Sequence, residues 1–207
     1  MVKKERRLNM KSLIRVLVFS LVVVALAACS NEEKNKTVVR SSLEVMKYDK
    51  NQLVNDADVI IEGVVISQEV QEDFEGFPST DTFIKVSKVY KGNPSDTVEI
   101  RVKGGETDKM LYIPEEELLP SFKLDEKVIV FLTSNKGSRP DKDDFGYYVV
   151  GEYQGKFSGE DSEKRLMNET FTFNPQDFEQ ELQKIEEENK INKLEKNFYD
   201  EGEEADI

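Results

Sequence analysis

Between residues 58 and 154 the chain carries short runs of β-branched and aromatic residues, separated by glycine, proline and acidic residues. This pattern is typical of β-strands joined by turns. The runs are 58–70, 82–90, 98–102, 127–133 and 145–154. They predict a mainly β fold built from five strands.

Two glycines and one displaced valine indicate that these strands are curved. Gly63 lies in the middle of the first run and Gly151 in the fifth, where a strand can bend or bulge. In the second run Val89 is displaced by one residue from the preceding apolar face, which predicts a bulge near Ser87. With a short helical turn started by Pro114 between strands three and four, the pattern predicts a small closed barrel. Eight residues are expected in its core: Val59, Ile61, Ile84, Val86, Val98, Ile100, Val128 and Val130.

After the fifth strand the sequence predicts a hairpin and then a C-terminal α-helix. The hairpin covers residues 156–173, with Gly159 and Asp161 in its turn. Asn174 and Pro175 are typical of a helix N-cap and first helical position. Apolar residues then recur near the spacing of one helical face, namely Phe178, Leu182, Ile185, Leu194 and Phe198. The acidic end, residues 199–207, is expected to be disordered.

The first 28 residues have the composition of an export signal. Six basic residues and one acid precede or border an uncharged apolar run at 16–28. That run is shorter than the roughly 20 apolar residues needed to span a bilayer. The segment therefore predicts a signal peptide with a basic n-region and an apolar h-region. A complete, shorter signal also begins at Met10, so either Met1 or Met10 can be the start.

The end of the apolar run carries a recognisable motif, Leu26, Ala27, Ala28 and Cys29. It resembles the lipobox of bacterial lipoproteins. The resemblance implies diacylglyceryl attachment to the Cys29 thiol, cleavage between Ala28 and Cys29, and retention at the outer face of the cell membrane. Two acyl chains anchor a protein stably, whereas one binds only reversibly. The membrane is therefore the first expected partner.

These signals divide the chain into four parts. Residues 1–28 are the signal peptide, and 29–56 are the lipidated cysteine with a polar tether. Residues 57–173 are the β domain with its added hairpin, and 174–207 are the helix and acidic tail. One domain is expected for a chain of this length.

Four stretches carry a further family pattern: ADVIIEGVV at 57–65, FIKVSKVYKGN at 83–93, VEIRV at 98–102 and LDEKVIVFL at 124–132. They resemble the OB-like netrin domain of tissue inhibitors of metalloproteinases, over about residues 57–157. The resemblance implies a five-stranded OB-like barrel. In the animal inhibitors an N-terminal cysteine at the barrel edge binds the protease zinc, and disulfides fix that edge. Here Cys29 lies well before the first strand and is the single cysteine, so protease inhibition is not implied.

Composition narrows the expected chemistry. Residues 1–28 hold six of the 29 basic residues and one of the 42 acids, so their removal takes the net charge from -13 to about -18. Such a chain repels phosphate backbones, and no nucleic-acid partner is expected. The sequence has no histidine and no cysteine beyond Cys29, which removes the usual bases, thiolates and zinc ligands. We therefore expect neither a cofactor nor nucleophilic catalysis.

Two alternatives remain open at this point. A pair of carboxylates across a cleft can hydrolyse glycosides, so a hydrolase of wall or extracellular substrates is one. A calcium-dependent surface domain is the other, because Asp141, Asp143 and Asp144 share a loop, although their spacing fails the EF-hand pattern. A solvated turn is the simpler interpretation of that loop.

The leading interpretation is a non-catalytic binding module. OB-type barrels bind through strands two and three and the loops that join strands one to two and four to five. Here those loops are residues 71–80 and 134–144. The first carries Phe74 and Phe77 among polar residues, and aromatic side chains often dominate binding energy. They are the predicted contacts for a protein or glycan partner, unless both rings fold back onto the domain.

Overall fold

The computed structural model describes residues 36–114, 116–159 and 166–197. The predicted signal peptide, Ala28, Cys29 and the acidic tail from residue 198 lie outside these ranges. So does most of the predicted hairpin turn after Gly159.

The described chain is mainly β with a C-terminal α-helix, as predicted, and it has a second, unpredicted α-helix near its N-terminal end. Its strands are β1 Thr37–Ser41, β2 Val59–Glu72, β3 Pro78–Lys91, β4 Thr97–Lys103, β5 Gly105–Glu106, β6 Met110–Pro114, β7 Lys127–Thr133, β8 Tyr148–Val149 and β9 Lys156–Ser158. The helices are α1 Lys50–Asp56 and α2 Phe178–Asn192. Short 3-10 turns occupy Glu116–Leu118 and Glu152–Gly155. The first of these turns lies where the sequence predicts a helical turn.

The strands form two sheets. In the larger sheet the order is β4-β3-β2-β7-β8, with β9 also pairing with β7. In the smaller sheet the order is β1-β6-β5, and β1 runs parallel to β6. At its loop end the long β2–β3 hairpin extends past β7, which pairs only with Val59–Val64, while β3 stays paired with β4 as far as Ser79.

The predicted irregularities of the β2–β3 hairpin are confirmed. The register shifts between Glu62 and Gly63, where Gly63 pairs with Val86 and leaves Ser87 as the extra residue. A Cβ at Gly63 would lie 2.5 Å from Ile84 Cγ2 and 2.6 Å from the carbonyl oxygen of Lys85. Glycine is therefore required here for the close approach of the two strands.

The larger sheet is not closed into a barrel, which corrects the closed barrel expected from the sequence. Its two ends approach through one isolated parallel bridge, Ile100 to Tyr147. The predicted fifth strand is short because Gly151, with φ +64°, turns the chain into a 3-10 turn. Two residues of β8 are too few to build a continuous ladder along β4.

Apolar residues pack on both faces of the larger sheet. All eight predicted core residues belong to one cluster on the concave face, with Val86 only partly buried. The second cluster lies beneath the two helices and contains Leu53, Phe131, Phe157 and Phe173. The sequence patterns did not predict this second core.

Part of the predicted tether is folded, because β1 and α1 lie within residues 29–56. Asp49 caps α1 by accepting a hydrogen bond from the Gln52 amide, as N-cap aspartates do. Leu53 and Val54 have no exposed surface. These two residues insert α1 into the second core, and β1 pairs with β6, so both elements belong to the folded domain.

The C-terminal part contains the predicted helix but differs in the start of that helix and in the hairpin. The N-cap is Asp177 and the helix begins at Phe178, which corrects the predicted cap at Asn174 and first helical residue at Pro175. Phe178, Leu182 and Ile185 are buried on one face of α2. Lys193 adopts φ +52° and ends the helix before Leu194, which is 38% exposed. The segment β9 pairs with β7, rather than with the residues near Phe173.

Candidate functional site

The predicted binding loop is the turn that joins β2 to β3. The Asp73 carboxylate accepts hydrogen bonds from the amides of Glu75 at 3.0 Å and Phe77 at 2.8 Å. Gly76, with φ +83°, completes the turn. A side chain that bonds its own loop backbone stiffens such a turn. The loop therefore presents its aromatic residues in a defined arrangement.

The two predicted aromatic residues have different environments. The Phe74 ring is 47% exposed. Phe77 is partly buried, and its ring centroid lies 5.1 Å from that of Tyr112 in β6. Phe77 thus attaches the hairpin to the smaller sheet, and Phe74 is the residue that a partner can reach.

Next to this loop, an ion pair lies on the convex face of β3 and β4. Arg101 Nε and Nη2 donate to the two carboxylate oxygens of Asp81, each at 2.7 Å. The two residues are directly opposite each other in the strand register. This forked geometry is the strong form of an arginine–carboxylate pair.

The loop between β7 and β8 extends the ion pair into a network. Arg139 donates from Nε and Nη2 to the Asp141 carboxylate at 2.8 Å. Arg101 Nη1 donates to the same carboxylate at 3.3 Å. Each of the four residues, Asp81, Arg101, Arg139 and Asp141, is only 2–6% exposed. The loop is therefore bound to the sheet by buried charges, whose pairing offsets a large cost of desolvation.

Aromatic rings enclose these guanidinium groups. Arg101 lies over Phe145, with 4.3 Å between its Cζ and the ring centroid. Arg139 lies 4.8 Å from the Phe74 centroid. Guanidinium groups at such distances are attracted to the ring face. The network thereby connects the two loops that the sequence predicts as binding elements, and it supports one side of Phe74.

Lys136 holds the second loop in its compact form. Its ammonium group donates to the carbonyl oxygens of Lys142 and Phe145 and lies 4.5 Å from the Phe145 ring centroid. Burial lowers the pKa of Lys136, while Asp143 and Glu99 act in the opposite direction. The loop is thus closed upon itself as well as bound to the sheet.

The three candidate metal ligands are not brought together. Asp141 faces inward, and both of its oxygens accept hydrogen bonds from Arg139. Asp143 and Asp144 are exposed on the turn. Within the described parts of the chain there is no group of three or more acidic, histidine or cysteine residues placed to hold a metal ion.

Two acids near this network have pKa values shifted in opposite directions. The pKa of Glu99 is raised by burial and by the nearby Asp81 carboxylate, with Arg101 opposing the shift. Hydrogen bonding from Arg139 lowers the pKa of Asp141, although burial opposes it. Opposite shifts of this kind occur at acid–base sites, but here Asp141 is buried and both of its carboxylate oxygens accept hydrogen bonds from Arg139.

Sequence reasoning identified Phe74, Phe77 and Asp141 but missed Asp81, Arg101 and Arg139. Arg101 occupies an outward position of an alternating strand, as Glu99 and Lys103 do, and nothing in the local pattern distinguishes it. Only the pairing of β3 with β4 and the folding of a loop some 40 residues later bring its partners together.

No described helix is both long and apolar enough to cross a membrane. The sequence matches no protein-family model, and no curated protein is similar to it.

Proposed function

We propose that this protein is a non-catalytic binding module, anchored by lipid on Cys29 to the outer face of the cell membrane. The motif at residues 26–29 and the apolar run before it support the anchor. Strand β1 begins at Thr37, so the chain from Cys29 to β1 could reach at most about 26–29 Å. The domain would stay close to the lipid surface.

The exposed ring of Phe74 is the observation that carries the binding function. It projects from a turn stiffened by Asp73, and Arg139 supports it from the side. Arg139 is itself held by Asp141, which is bonded to Arg101 in the sheet. A side chain positioned before binding loses less conformational freedom when a partner arrives. Phe74 therefore has the properties of a binding anchor for a protein or glycan at the cell surface.

A photo-crosslinking amino acid at position 74 tests this function in living cells. We expect a discrete crosslinked product from position 74. Ile191 is the matched control, because it is apolar and 79% exposed but lies on α2. Equal products from positions 74 and 191, or none from position 74, would contradict the proposal.

Two single substitutions separate binding from folding. Phe74→Ala should no longer capture the partner that the crosslink identifies. Its melting temperature should be unchanged, because the Phe74 ring is half exposed. Phe77→Ala should lower stability by about 1–2 kcal/mol, since a partly buried ring costs less to remove than the 3–5 kcal/mol typical of a core phenylalanine. Thermal melting and capture are measured on both variants. A large loss of stability in Phe74→Ala would show that the ring is part of the core.

A further inference from the structure

One side of β2 has no strand beside it near the hairpin turn, within the part of the chain that the structure describes. Strand β7 pairs only with Val59–Val64 of β2, and Val65 bonds to the backbone of the segment before β7. From residue 67 to 72, β2 pairs with β3 on one side, and no described strand pairs with the other. Residues 68–72 are all exposed. We call residues 67–72 the open edge.

The backbone groups that face outward along the open edge follow from the turn. The Asp73 amide donates to the Phe77 carbonyl oxygen at 2.8 Å. In an antiparallel pair, hydrogen-bonded and non-hydrogen-bonded residues alternate. Residues 71, 69 and 67 therefore bond to β3. The N–H and C=O groups of Gln68, Val70 and Glu72 point away from it and remain available for an added strand.

The charge of the chain around the open edge is predominantly negative. Residues 51–84 contain no lysine or arginine, and the exposed acids Glu69, Glu72 and Glu75 lie on or beside the open edge. Glu72 has one exposed partner, Lys109, at 3.4 Å. A second copy of this chain would place acids against acids, because like charges on paired strands repel. A basic strand would instead meet complementary charge.

We propose that the open edge binds a basic peptide segment of a partner protein in extended conformation, as an added β-strand. Recognition of this kind takes affinity from main-chain hydrogen bonds and specificity from alternate side chains. Basic residues of the peptide would face Glu69, and apolar residues would lie beside Val70. Phe74 stands at the end of the same strand. The inference rests on the proposed binding function and specifies how the partner is held.

The test uses the full mature chain and a seven-residue peptide of alternating lysine and valine. Amide exchange of Gln68, Val70 and Glu72 should slow by about tenfold or more on binding, because outward N–H groups become hydrogen-bonded. The same peptide methylated on every backbone nitrogen keeps its charge and should not bind. Equal binding by both peptides, or binding without protection of these amides, would overturn strand addition in favour of non-specific attraction. Absence of binding would overturn it too.

Three variants of the protein test strand addition further. Val70→Pro removes one outward N–H, which an edge strand tolerates, and should abolish binding, whereas Val70→Thr retains the N–H and should bind. Glu69→Gln with Glu75→Gln should weaken binding by about threefold, as expected for exposed charges. Binding that survives Val70→Pro with its melting temperature unchanged would contradict the inference. Should position 74 crosslink a partner in cells while the open edge stays unprotected, strand addition fails and the binding function stands.

Discussion

At the scale of single residues, Asp141 connects the most consequential contacts of the site. Its carboxylate accepts from Arg139 at 2.8 Å and from Arg101 at 3.3 Å. Buried charges destabilise a protein unless they are paired. Removal of one partner therefore leaves the desolvation cost of the remaining charges uncompensated. Asp143, two residues away, is exposed. The same loop therefore contains a buried aspartate, Asp141, and an exposed one, Asp143, which serves as its control.

Asp141→Asn should destabilise the protein by about 3–5 kcal/mol, because it leaves two buried guanidinium groups short of one negative charge. Asp143→Asn removes the same charge from a solvated position and should change stability by no more than about 0.5 kcal/mol. Denaturant unfolding of the two variants measures the difference. Equal stabilities would show that the network contributes no net stability.

The same carboxylate predicts a dependence of stability on pH. The Arg139 hydrogen bond holds the pKa of Asp141 below its ordinary value, although burial opposes it. A lowered folded-state pKa contributes stability that is fully present above the unfolded pKa, near 3.9, and is lost as the pH falls through the folded value. Unfolding free energy should therefore decrease below about pH 4. Asp141→Asn should show a shallower decrease, and identical pH profiles would contradict this assignment.

At the scale of elements, the β2–β3 hairpin determines where the candidate site lies. Its outer half carries the open edge, the stiff turn with Phe74, and Asp81 of the buried network. Its inner half bends at Gly63, where the two strands approach closely. The bend was predictable, because a glycine interrupts a β-branched run, and so was the bulge at Ser87. The ion pairs that join Asp81 of the hairpin to Arg101 of β4, and Arg101 to Asp141, were not predictable in this way.

Gly63→Ala should destabilise the protein by about 1–3 kcal/mol, because the new methyl group would meet the Lys85 carbonyl oxygen at 2.6 Å and overpacking carries a cost of this order. Gly76→Ala provides a comparison with no steric contact, since nothing lies within 4 Å of its Cβ position. Its cost is only that of φ +83°, about 1–2 kcal/mol. The melting temperatures of both variants test the prediction. A smaller effect at Gly63 than at Gly76 would contradict the close approach.

At the scale of the whole molecule, the proposed lipid anchor shortly precedes the strand that leads, through strand pairing, to the proposed binding site. The lipid would be attached at Cys29, and the first strand starts eight residues later at Thr37. Strand β1 pairs with β6, whose Tyr112 contacts Phe77 of the binding loop. The candidate binding loop is therefore connected to the N-terminal strand of the described domain through the smaller sheet.

Cys29→Ala should yield an uncleaved precursor without lipid, because the thiol is the expected acylation site and acylation precedes cleavage in lipoproteins. Metabolic labelling with a fatty acid and the size of the product measure both effects. Ser30→Ala should be labelled and cleaved normally. Incorporation of label into the Cys29→Ala protein would refute the lipid assignment.

Local patterns in the sequence determined the positions of β2, β3, β4 and β7, the core cluster around Ile61, the bend at Gly63 and the apolar face of α2, because alternation and helical spacing reflect which side chains are buried. They did not predict the smaller sheet. The tertiary structure alone decided the open sheet, the second core beneath the helices and the network around Arg101. These features depend on contacts between distant residues, such as Arg101 with Asp141. An alternating strand pattern shows which residues lie on each face of a sheet. Only the folded chain determines which other residues pack against that face.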